Sequence, residues 1–121
     1  MRIIVSTLLA SILLLGGTPA SATLFTFSTT LLGANETPPN TSPATGSAQV
    51  ILNDVTEAID VSVNFTGLVA PSTVAHVHNA PPGVAGPIVL PLADFPAGVT
   101  SGSYVHSFTA ADLTDGITTF A

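Results

Sequence analysis

The 121-residue chain has no cysteine and no tryptophan, and its one cationic side chain is Arg2. Each absence removes a class of chemistry. Without cysteine there is no disulfide, no thiolate nucleophile and no thiolate metal site, so packing must hold the fold together. Beyond Arg2 the chain carries seven carboxylates and neither Lys nor Arg. Phosphate backbones and anionic lipids are both bound by cationic side chains, so nucleic-acid binding is excluded and acidic membrane surfaces are disfavoured. Bidentate arginine recognition of carboxylates or phosphates is excluded on the same ground. There is no Gly-rich phosphate loop, no G-x-S-x-G nucleophile elbow and no cofactor fingerprint. Asp54, Glu57 and Asp60 lie close together in sequence, yet they lack the dense Asp/Asn-Gly spacing of a calcium loop. The chain reads as a non-enzyme.

What is present begins with MRIIVSTLLASILLLGGTPASA. Arg2 is a minimal positive n-region, residues 3–15 form an apolar h-region, and Gly16, Gly17 and Pro19 break it before the small-x-small site Ala20-Ser21-Ala22. The run is shorter than the roughly 20 residues of a spanning helix. Residues 1–22 are therefore expected to be a cleaved signal peptide. That leaves residues 23–121 as one small domain, with no stable membrane span, in a secreted, periplasmic or cell-envelope location.

The remaining chain alternates strand-like runs with turn chemistry. LFTFSTTLL (Leu24–Leu32) is β-branched and aromatic, and residues 33–46 are a loop rich in Pro, Asn, Ser and Gly. Residues 47–52 resume as a strand. In Ala58–Thr66, Ile59, Val61, Val63 and Phe65 alternate with Asp60, Ser62, Asn64 and Thr66, which describes a strand with one buried and one wet face. Strands are expected over residues 74–78, 88–90 and 101–108, with a short helical turn at residues 110–113 capped by Thr109. Asp115-Gly116 is read as its stop and residues 117–121 as the start of a further element. This spacing implies an all-β antiparallel sandwich of Greek-key or immunoglobulin-like type.

Five short stretches then coincide in order: FTFSTTLLGANETPP, SPATGSAQVILN, VSVNFTGL, VAHVHNAPPGVAGPIV and TSGSYVHSF. Together they resemble the CHRD domain family over residues 24–120. The resemblance implies an extracellular β-rich module. It also implies a closing strand with an Asn-x-His-Thr-like motif and a Gly-Glu-Ile-Arg-Gly-like end, neither of which occurs before Ala121. The domain is therefore expected to be incomplete at its C-terminus, with an open sheet edge that invites self-association. The function expected from the resemblance is non-enzymatic binding or structural interaction with an extracellular or envelope protein that the sequence does not name.

The alternative reading rests on VAHVHNAPPG, residues 74–83. In a strand His76 and His78 share one face, and two imidazoles on one face can place nitrogens on one ion. The H-x-H arrangement resembles the copper-binding strand of Cu/Zn superoxide dismutases. The further histidines, the disulfide and the arginine of those enzymes have no counterpart here, so the alternative is a Cu- or Zn-binding β-sandwich without dismutase activity. His106 is the third candidate ligand. It shares a strand face with Tyr104 and Phe108, and if that face is the core it is instead a packed interior histidine. No cofactor is otherwise required. Pro81, Pro82 and Gly83 are expected to turn the chain beside the histidine pair.

Overall fold

A computed structural model describes residues 20–114; most of the expected signal peptide, the Asp115-Gly116 stop and residues 117–121 lie outside the described residues. Six strands follow one another: β1 (Leu24–Leu32), β2 (Thr45–Asn53), β3 (Ala58–Thr66), β4 (His76–His78), β5 (Ile88–Pro91) and β6 (Gly102–Thr109), with single 3-10 turns at Gly33–Asn35 and Ala110–Asp112. All pairings are antiparallel, and they build a four-stranded sheet ordered β1-β2-β3-β6 and a two-stranded sheet of β4 and β5. The expected all-β, sandwich-like architecture is observed. Within it β6 returns beside β3 rather than beside β1, so the larger sheet is a meander closed by a crossover through the β4–β5 hairpin.

Period-two patterning decides which face is dry. The register aligns Phe25, Leu52, Ile59 and Phe108 in one row and Phe27, Val50, Val61 and His106 in the next. Thr29, Ala48, Val63 and Tyr104 form a third row, and Leu31, Gly46, Phe65 and Gly102 a fourth. The opposite face carries rows such as Ser28, Gln49, Ser62 and Val105, polar except for the exposed Val105. The smaller sheet lies over only part of the apolar rows. Ile59 and Leu90 are 1% and 2% exposed, and Val61, Val63, Phe65, Leu92, Tyr104 and Phe108 complete the buried cluster with Phe95, Val77 and Leu113 packed against it. Full burial of each large aliphatic side chain contributes about 1.5–3 kcal/mol, so this cluster is the main source of stability in a chain with no crosslinks.

Turn chemistry sets the connections. In the β2–β3 hairpin the Asn53 side-chain oxygen accepts from the backbone N–H groups of Val55 and Thr56, both at 3.0 Å. Glu57 closes that turn in the left-handed region, at φ 56°. After β6 the Asp112 carboxylate accepts from the Thr109 backbone N–H at 2.8 Å, within a reciprocal capping box around the expected helical turn.

β4 is shorter than the sequence pattern implies. Residues 74–78 read as a strand, yet only His76–His78 form one. The cause is tertiary: Ser72 is held to the other side of the fold, donating its backbone N–H to Val99 O at 2.8 Å and its hydroxyl to Pro96 O at 2.6 Å. The chain therefore joins the smaller sheet late, through a Leu92 N–H to Ala75 O bond of 2.9 Å, and Val74 stays exposed.

Candidate functional site

β4 and β5 are joined by residues 79–87, which fold back on themselves beside the histidines. Val84 N–H donates to Pro81 O at 3.1 Å, with Pro82 and Gly83 at the corner and Gly83 at φ 77°. That is a type II turn: proline presets the first corner, and only glycine takes a positive φ at the second without strain. Asn79 N–H then donates to Pro87 O at 3.2 Å and closes the loop base. Gly86 sits so tightly against the opposite limb that an added Cβ would lie 2.3 Å from Asn79 O. The sequence-expected Pro-Pro-Gly turn is thus present, and its consequence is to aim the Gly86 carbonyl at the histidines.

Val77 is half-buried against the core, which turns its neighbours His76 and His78 outward on one exposed face. His78 Nδ1 lies 2.7 Å from Gly86 O. A carbonyl only accepts, so this nitrogen carries a proton and the other ring nitrogen, Nε2, presents a lone pair when the ring is neutral. His78 Nε2 lies 3.0 Å from His76 Nδ1, and the two rings meet edge-on with centroids 4.8 Å apart. In the neutral pair His76 Nδ1–H donates to His78 Nε2. The result is a relay from His76 through His78 to a fixed backbone carbonyl.

His106 is half-buried. It is sandwiched in a row of rings on the inner face of β6, stacked on Tyr104 at 5.9 Å and tilted against Phe108 at 4.4 Å. The row continues through Phe95 to Phe65, at 5.2 and 5.4 Å. Among the described residues no three His, Cys, Asp or Glu side chains gather as metal-ligand groups, so His106 is not brought to the His76–His78 pair. In the middle of the same row the Tyr104 hydroxyl donates to Ala93 O at 2.7 Å. Burial, and secondarily the negative charge of Asp94, hold that phenol above its ordinary titration range.

Two further features were not legible as sites. Gly86 contributes a backbone carbonyl from eight residues beyond His78; only the tight turn and the close Gly86 approach connect them. On the outer face of the large sheet, Ser28, Thr30, Ser47, Gln49, Ser62 and Asn64 line an open, shallow depression of hydroxyls and amides. Gln49 there donates to Ser28 Oγ at 3.2 Å, satisfying part of the face internally.

An antiparallel β domain of the sandwich class, with a half-covered main sheet and a hairpin whose first strand bears the histidine pair, is the class that these features define. The CHRD domain family matches residues 27–119, and the chain belongs to that family. Neither a curated protein nor a solved structure matches it. CHRD domains are binding and structural modules that occur in extracellular proteins. Among the described residues no helix is long and apolar enough to cross a membrane.

Proposed function

We propose that this protein is exported and acts as a non-enzymatic interaction module outside the cell or in the cell envelope. It holds a protein partner on the uncovered half of its large sheet. The observation that carries the reading is the exposure of Phe25 and Phe27, 43% and 57%, on the same face as the buried rows of β3. Aromatic side chains on an open sheet face are what interface centres are enriched in.

β1 adds a second attraction. It is an edge strand of nine residues without a charge or a proline, the devices that normally blunt such edges. The turn at the Phe25 end of the sheet carries Asp54 and Glu57, and the chain beyond Arg2 has no cation to neutralise them. The complementary partner is therefore an apolar strand or patch rimmed by Lys or Arg.

Proximity labelling with the exported protein, followed by binding measurements on the purified partner, tests this. Changing both rings, Phe25→Ser and Phe27→Ser, is expected to weaken binding at least about tenfold, since buried aromatic anchors each cost more than ~1 kcal/mol when truncated. Thermal unfolding should move little because both rings lie outside the buried cluster. Unchanged partner affinity in the double variant overturns the reading. A concentration-dependent dimer that the variant abolishes reassigns the face to a second copy of this chain.

A further inference from the structure

The geometry points to His76 and His78 as a two-nitrogen chelate for a divalent transition metal, Cu(II) above all. This site is independent of the sheet face invoked above. Three observations carry it. The first is the spacing of the facing nitrogens, 3.0 Å between His78 Nε2 and His76 Nδ1. With metal–nitrogen bonds of about 2.0–2.1 Å, that separation corresponds to an angle near ~94° at the ion, whereas a tetrahedral angle needs roughly 3.3–3.4 Å. Nitrogens in adjacent corners of a square plane or octahedron fit, and tetragonal N,O sites are the preference of Cu(II) and Ni(II).

The second observation is the outer partner. Histidines that hold a metal ordinarily donate their second ring N–H to a carbonyl or carboxylate, which fixes the tautomer and leaves the other nitrogen for the ion. His78 already does this through its 2.7 Å bond to Gly86 O, and the loop that aims that carbonyl is stiffened by the type II turn at Pro82-Gly83. His78 is therefore set to present Nε2 whether or not an ion is bound.

The third observation is accessibility and field. Both rings are exposed, so the ion can swing off the nitrogen–nitrogen line as both lone pairs converge on it, and water can complete its coordination. The chain's excess of six negative charges raises the local concentration of any cation. Binding requires one rearrangement: His76 moves its proton from Nδ1 to Nε2 by exchange with solvent, which frees the Nδ1 lone pair. The proton count of the neutral pair is unchanged. The ion replaces the shared hydrogen bond between the two rings.

The test is titration of the purified protein with Cu(II) alone, followed by electron paramagnetic resonance and by NMR of the imidazole signals, with Zn(II) and Ni(II) as comparators. One Cu(II) per chain is expected at micromolar metal, with two equatorial imidazole nitrogens in the spectrum. Broadening should be centred on His76 and His78 and should spare the stacked His106. His76→Ala and His78→Ala should each weaken Cu(II) binding at least about tenfold, since even outer-shell changes act on a 10–100-fold scale. The hydrogen bonds lost are exposed, so the variants should lower the unfolding temperature by no more than a few degrees. Absence of broadening at His76 and His78 at micromolar Cu(II), or a site that survives both substitutions, overturns the proposal.

Discussion

At the scale of single residues, environment separates side chains of the same type. His76 and His78 are turned outward by the half-buried Val77 between them, whereas His106 is stacked between Tyr104 and Phe108. Alternation along each strand shows which residues share a face, and which of those faces is covered depends on the tertiary structure. The Gly86 carbonyl was not readable from the sequence, because nothing in the string NAPPGVAGP encodes which oxygen will face an imidazole. Tyr104 offers a clean residue-scale experiment, being the only tyrosine in a chain with no cysteine and no lysine. Its folded form favours the neutral phenol, so folded protein holds that proton to higher pH than unfolded chain does. Stability is accordingly full below the unfolded value of about 10 and declines as pH rises from there through the folded value. Ultraviolet titration of the phenolate, run beside thermal unfolding, should show both effects. Tyr104→Phe should flatten the alkaline decline while lowering stability at neutral pH by about 1–3 kcal/mol, since Ala93 O loses its donor. An equally steep alkaline decline in the Phe variant would refute the assignment.

At the scale of elements, β3 is the clearest success of pattern reading. Its strict alternation marks Ala58–Thr66, and the strand has those bounds. The capped turn after β6 likewise follows from local chemistry, with Thr109 and Asp112 satisfying each other. β4 departs from its pattern because Ser72 is held against residues 96–99, a contact between distant parts of the chain. The β4–β5 loop depends on close backbone approach at Gly86. Gly86→Ala forces its Cβ against Asn79 O, so the loop must open and the His78 Nδ1–H loses its acceptor. A loss of about 1–3 kcal/mol is expected in chemical denaturation, in the range of backbone-strain substitutions. The same variant should lose the protected imidazole N–H signal of His78. If that signal persists, the loop does not position the histidine.

At the scale of the whole molecule, charge and coverage are the two governing quantities. Seven carboxylates face no lysine and no arginine beyond Arg2, so long-range electrostatics in the folded domain are repulsive. Proteins stabilised by surface ion pairs weaken in salt; here screening removes repulsion instead. Raising NaCl from low ionic strength to about 0.15 M, where the screening length falls to ~8 Å, should therefore raise the unfolding temperature. The expected gain is a few degrees, equivalent to roughly 0.5–1 kcal/mol in a domain of this size. Sodium chloride is the appropriate salt, because sulfate strengthens apolar burial by a separate route. A fall in unfolding temperature with NaCl would contradict the electrostatic account. Coverage is the other quantity: the smaller sheet lies over β3 and its neighbours, Ala48, Val50 and Leu52 of β2 pack against the core, and the β1 rings stay open, which is why the proposed partner surface centres on β1.

The sequence by itself determined the all-β class, the strand-by-strand alternation that divides dry from wet faces, the family, and the chemistry its composition forbids. These are local or summed properties, and period, turn residues and charge count do not depend on which strands meet. Only the tertiary structure decided that β6 pairs with β3, that Phe25 and Phe27 share the core face yet remain uncovered, and that Ser72 cuts β4 short. It alone brought Gly86 to His78 and His78 Nε2 to within 3.0 Å of His76 Nδ1. Each of these depends on a distance between chain segments set by packing and loop closure, and alternation along one strand carries no record of which partner lies opposite it.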